Sequence, residues 1–140
     1  MSYMIGIVLA LGVCGYATLL RLDRDRAFYT AMAFVVASYY VLFAAMGATG
    51  RVIVIESLIA GGFVLVASLG FRKNYWLVAA ALGAHGVFDA FHAQVVTNPG
   101  VPMWWPAFCG SFDVAAGGYL AWLLAPVANR GIAARGVSAR

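Results

Sequence analysis

Five apolar stretches, each close to the length of a bilayer-crossing helix, leave this 140-residue chain almost no other way to fold. They run roughly over Tyr3–Leu20, Ala27–Gly47, Val52–Phe71, Tyr75–Val96 and Pro106–Ala125. About 20 predominantly apolar residues in helical conformation cross a hydrocarbon core ~30 Å thick. In that medium each backbone N–H and C=O must be satisfied within the chain, which favours helices. The breaks between the stretches are RLDRDR, GATGR, FRKN and TNPGVPMWWP. The chain is 64% hydrophobic and 10% charged, whereas soluble domains run about 45–50% apolar and about 25% charged. The expected fold is all-α, an integral membrane bundle of five transmembrane helices within residues 1–126. A basic cytoplasmic tail, expected to be mobile, follows over residues 127–140. The first segment lacks a basic leader and a clear small-residue cleavage site, so it reads as a retained helix. There is no internal repeat.

Charge predicts the orientation. With five spans, one side carries Arg21, Arg24, Arg26, Arg72, Lys73, Arg130, Arg135 and Arg140, and the other carries Arg51 alone. Basic residues collect on the cytoplasmic side. The N-terminus is therefore expected outside, the C-terminus in the cytoplasm, and the chain in a bacterial-type inner membrane. The net charge of +4 is spread over short loops and the tail, so it gives no nucleic-acid signal. Trp104 and Trp105 then sit at the outer interface, where indole rings anchor.

Within the apolar stretches lie Glu56, His85, Asp89, His92 and Asp113. An Asp at the bilayer centre costs roughly 2.5–3.5 kcal/mol on the lenient insertion scale. Three lipid-facing carboxylates would cost roughly 8–10 kcal/mol, comparable with the stability of a whole domain. These side chains are expected to face inward and to meet. At about 1.5 Å rise per residue, Glu56, Asp89, His92 and Asp113 all lie roughly 6–10 Å below the outer ends of their helices. His85 lies deeper, at roughly 16 Å. His85, Asp89 and His92 share one helical stripe. Tyr39 and Tyr40 reach the same level and read as packing residues. Asp113 shares its stripe with Cys109, Ala116 and Gly117, small residues of the kind that mark helix contacts in membranes.

His and carboxylate side chains suit zinc or iron, and a metal site is the leading reading. Asp89 and His92 are the expected core ligands, because Asp-x-x-His parallels the Glu-x-x-His ligand pair of di-iron bundles. Glu56 and Asp113 complete the shell or act as catalytic general base, and His85 is a fourth ligand or catalytic partner beneath them. The chemistry expected of such a site is hydrolysis of a membrane lipid or isoprenoid-like apolar molecule. One alternative is metal-free isomerase or cyclase chemistry by the same residues as acid and base. Another is a non-enzymatic accessory subunit of a membrane complex, or a haem- or ion-handling protein using His85 or His92. Small-residue faces also suggest a homo-oligomer. Cys14 and Cys109 give no disulfide signal, and Cys109 reads as a packing residue. Asp23 and Asp25 are expected to pair with neighbouring arginines, and Asn98-Pro99-Gly100 reads as a turn.

The run from His85 to Asp113, with Val101, Pro102, Trp104, Trp105, Pro106 and Cys109 between them, has the form H-x-x-x-D-x-x-H … V-P-x-W-W-P-x-x-C-x-x-x-D. It resembles a family of small bacterial multi-pass membrane proteins classed as a domain of unknown function. The resemblance covers the last two spans and implies a membrane bundle with no assigned activity. Two looser likenesses are to the alkaline ceramidase and adiponectin-receptor hydrolases, with intramembrane zinc on His and Asp across seven spans, and to the emopamil-binding sterol isomerases. The latter have five spans and an H-x-x-x-E pair, similar to His85 and Asp89 with Asp in place of Glu.

Overall fold

Helix ends fall where the few hydrophilic or helix-breaking residues interrupt the apolar runs. The computed structural model describes the backbone of residues 1–138 and the side chains of residues 1–125. Among the described residues there are five helices and no strand: α1 (Ser2–Leu20), α2 (Ala27–Gly47), α3 (Gly50–Arg72), α4 (Trp76–Val95) and α5 (Trp105–Ser138). The apolar span of α5 is Trp105–Ala125. Its backbone is helical through Ser138, and the side chains of the expected tail over residues 127–140 lie outside the described residues.

Arg21 ends α1 in the left-handed region, at φ 63°. Its N–H donates to the Thr18 carbonyl at 3.1 Å, and the Leu22 N–H donates to Ala17 at 2.9 Å. That pair of bonds satisfies the last carbonyls of the helix, a place glycine usually takes. The acidic residues of this loop serve the helix ends. Asp25 accepts the Ala27 N–H at 2.8 Å, at the start of α2. Asp23 accepts the Thr18 hydroxyl at 2.6 Å, and Thr18 in turn accepts the Tyr119 hydroxyl at 3.1 Å. Among the described residues neither aspartate reaches an arginine, correcting the expected ion pairs. Exposed pairs of that kind are worth little, and unsatisfied helix ends outbid them. Arg26 instead donates to the Phe71 carbonyl at 2.9 Å and lies over the Tyr75 ring, tying α2 to both α3 and α4.

α1, α2, α3 and the first part of α5 are long and apolar enough to cross a membrane. Their outward side chains include Val54, Leu58 and Leu65 of α3, all more than half exposed. Large apolar exposure of this kind suits hydrocarbon surroundings. α4 is not among the helices apolar enough to cross a membrane by composition, for a structural reason. It packs on both α5 and α3 and touches α2, and His85, Asp89 and His92 are among its buried residues.

The helices follow one another around the bundle in the order α1, α5, α4, α3, α2. The α4–α5 contact is close because glycines face each other. A Cβ on Gly86 would sit 2.6 Å from the Gly110 carbonyl oxygen, and one on Gly110 would sit 2.9 Å from that of Gly86. Only glycine permits such backbone approach. It brings Asp89 on one helix beside Cys109 and Asp113 on the other.

Candidate metal centre

Four side chains converge where α4 meets α5. His85 Nδ1 lies 2.7 Å from Asp113 Oδ2 and 3.8 Å from Asp89 Oδ1. Cys109 Sγ lies 3.7 Å from the same Asp113 oxygen. One donor atom from each of His85, Asp89, Cys109 and Asp113 falls within 4.8 Å of all the others. Each residue is at most 3% exposed. Donors about 2.0–2.3 Å from a tetrahedral ion stand roughly 3.3–3.8 Å from one another, so an ion here would draw the four atoms, now set between 2.7 Å and at most 4.8 Å apart, into a more even spacing. This buried group could hold a metal ion.

The carboxylates have coordination capacity left. Both oxygens of Asp89 and Oδ1 of Asp113 are buried and have no hydrogen-bond partner among the described residues. Buried carboxylate oxygens left unpaired cost several kcal/mol per charge, about as much as a marginal fold can carry. Two carboxylates also carry the charge that a divalent cation neutralises.

A second polar centre adjoins the first. His92 Nε2 lies 2.9 Å from Glu56 Oε1. Asn98 donates through Nδ2 to the same Glu56 oxygen at 2.9 Å and to the Tyr40 carbonyl at 3.0 Å. The Tyr40 ring stacks on His92 at 3.7 Å with an interplanar angle of 10°, and its centroid is 6.1 Å from that of His85. Phe88 contacts both imidazoles, edge-on to His92 at 5.5 Å and tilted to His85 at 6.3 Å. Tyr40 and Phe88 therefore form an aromatic partition between the two centres.

All five expected residues are buried and brought together, but their pairing differs from the expectation. The expected ligand core of Asp89 and His92 with Glu56 divides. Asp89 joins His85 and Asp113, while His92 and Glu56 pair with each other, outside the four-residue group. The reason is angular. At about 100° per residue, Asp89 stands roughly 40° to one side of His85 and His92 roughly 20° to the other. Asp89 therefore leans toward α5 and His92 toward α3.

Two residues take larger parts than their sequence suggested. Cys109, read as packing, belongs to the four-residue group; its i, i+4 spacing from Asp113 was the available signal. Asn98 does make the expected turn, accepting the Gly100 N–H at 3.2 Å. Its amide nitrogen also reaches inward to Glu56, which a turn motif does not reveal. Trp104 is 53% exposed, as an interface anchor would be. Trp105 packs edge-on against Tyr39 at 4.9 Å. Comparison of the chain with family models, curated proteins and solved structures finds no match.

Proposed function

We propose that this chain is a multi-pass membrane metalloprotein that holds one zinc or iron ion between α4 and α5. The ligands are His85, Asp89, Cys109 and Asp113, and the ion serves hydrolytic chemistry on a lipid or isoprenoid-like molecule. The observation that carries this reading is Asp89. Both its oxygens are buried without a hydrogen-bond partner among the described residues, beside three other side chains of ligand type whose donor atoms lie within 4.8 Å of one another. A divalent ion would balance the two carboxylates and polarise a bound oxygen as a Lewis acid. In this reading Glu56 and His92, paired one aromatic layer away, hold or move a proton for that reaction. The distribution of basic residues supports placing the N-terminus and the α4–α5 loop outside.

A second reading draws on the short contacts themselves. His85–Asp113 at 2.7 Å and His92–Glu56 at 2.9 Å already make two acid–base pairs without an ion, as isomerase or cyclase chemistry would use. Haem receives less support, because both imidazole rings pack against aromatic side chains.

Elemental analysis of the purified full chain separates these readings. The metal reading expects about one equivalent of zinc or iron, lost in Asp89→Asn and Asp113→Asn and kept in Glu56→Gln. Less than about 0.2 equivalent in the wild type after metal reconstitution, unchanged by those substitutions, would overturn it in favour of metal-free chemistry.

A further inference from the structure

The hydrogen-bond donors around the two carboxylates of the four-residue group are unevenly shared. His85 Nδ1 at 2.7 Å and the Cys109 thiol at 3.7 Å both meet Asp113 Oδ2. Asp89 receives neither: His85 Nδ1 stands 3.8 Å from its Oδ1. Both Asp89 oxygens are buried without a hydrogen-bond partner among the described residues. An ion bound through one of them would leave the other still needing a donor, because a buried acceptor left unmade is costly.

A donor stands beside it, on a third helix. Tyr40 of α2 is 3% exposed, and its hydroxyl is also buried without a hydrogen-bond partner among the described residues. That hydroxyl neighbours the Asp89 carboxylate, with Cys109 and Glu56 about it. The adjacent polar side chains of α2 are used elsewhere. Ser38 donates back to the Val35 carbonyl, and Tyr39 packs on Trp105. Three buried polar atoms, one donor and two acceptors, therefore adjoin without yet being bonded. Rotation of the Asp89 carboxylate, which no other donor holds among the described residues, brings one oxygen onto the hydroxyl.

The Tyr40 ring is fixed from both directions. One face lies flat on His92, with centroids 3.7 Å apart, and Phe88 stands perpendicular to it at 6.3 Å. His92 is itself held by Glu56 at 2.9 Å. The second polar centre thus seats the ring and keeps its hydroxyl directed at the first. A tyrosine clamped in this way donates with little loss of side-chain freedom.

We propose that Tyr40 is a positioning residue of the metal centre: its hydroxyl donates to one oxygen of Asp89 and leaves the other to bind the ion. The donation restricts Asp89 to a single ligating oxygen and orients it toward His85, Cys109 and Asp113. Outer partners of this kind set the direction and basicity of a ligand. That the oriented oxygen is a ligand rests on the metal reading above.

The probes are zinc and cobalt(II) alone, titrated into the full chain in detergent against a competing chelator. Tyr40→Phe, which keeps the ring and its stack, should still bind about one equivalent of zinc, with affinity lower by about 10–100-fold. Tyr39→Phe removes a hydroxyl one residue away and should leave the affinity unchanged. Without its donor, Asp89 is free to bind through both oxygens. The cobalt-loaded Tyr40→Phe protein should therefore show weaker visible bands than the wild type, as its coordination number rises. Wild-type affinity and an unaltered cobalt spectrum in Tyr40→Phe would overturn the role of Tyr40 and leave the metal reading standing. Weaker binding with an unaltered spectrum, or an equal loss in Tyr39→Phe, would mean a packing effect only and would also overturn it. A wild type that binds neither metal removes the metal reading and the role of Tyr40 together.

Discussion

His85 on α4 and Asp113 on α5 are joined at 2.7 Å between Nδ1 and Oδ2, and neither is more than 3% exposed. The bond crosses the helix pair that the facing glycines bring closest. Whatever the site does, this contact couples its chemistry to the packing of α4 on α5.

Removing the carboxylate should therefore cost stability as well as metal. Asp113→Ala leaves His85 with an unsatisfied ring nitrogen and Cys109 without its acceptor. A loss of about 1–3 kcal/mol is expected, read from unfolding by denaturing detergent. An unchanged midpoint would mean that the contact does not hold the helices together.

On the metal reading, ligand geometry also depends on residues that are not candidate ligands. A Cβ at Gly86 would meet the Gly110 carbonyl oxygen and Val114, so Gly86→Ala should part α4 from α5 and lower metal content with the four ligating side chains intact. The expected stability cost is about 1–3 kcal/mol. Gly83, one turn earlier, has open space where a Cβ would go, and Gly83→Ala should be neutral or stabilising by up to about 1 kcal/mol. Equal effects at the two positions would argue against the close-approach explanation.

Asn98 ties the α4–α5 loop to the second centre. Asn98→Ala removes both donations, to Glu56 and to the Tyr40 carbonyl, and should cost about 1–3 kcal/mol. Hydrogen exchange should rise in the loop around residues 97–102 while the helices stay protected. Exchange that is unaltered there would show that the loop is held by other contacts.

Tyr40 separates packing from chemistry. Its hydroxyl is buried without a hydrogen-bond partner among the described residues, whereas its ring stacks on His92. Tyr40→Phe should keep the fold and its stability. Tyr40→Leu should lose the stack, worth about 0.5–1.5 kcal/mol. If Tyr40→Phe alone alters metal content or lipid turnover, the hydroxyl takes part in the chemistry.

Much of the fold was legible in one dimension. α2 begins and ends at the expected Ala27 and Gly47, and α1 differs by one residue at its start. Helix length follows from bilayer thickness, and the breaks RLDRDR and FRKN are too polar to lie within it. That Glu56, His85, Asp89, His92 and Asp113 face inward followed from the cost of exposing them to lipid. Which of them meet was a different matter. Helical periodicity sets the direction of a side chain about its own axis, and His85, Asp89 and His92 lie within roughly 60° of one another. No local rule says which neighbouring helix lies on which side of that arc. The tertiary packing decided it: α5 approaches through Gly110, taking Asp89 and His85 and bringing Cys109 with them, while α3 takes His92 through Glu56. The lack of close backbone packing between α1 and α2 among the described residues, where Cys14 and Tyr29 still adjoin, has the same origin. Their connecting loop can join neighbours or span a gap, and only the competing surface of α5 drew α1 away.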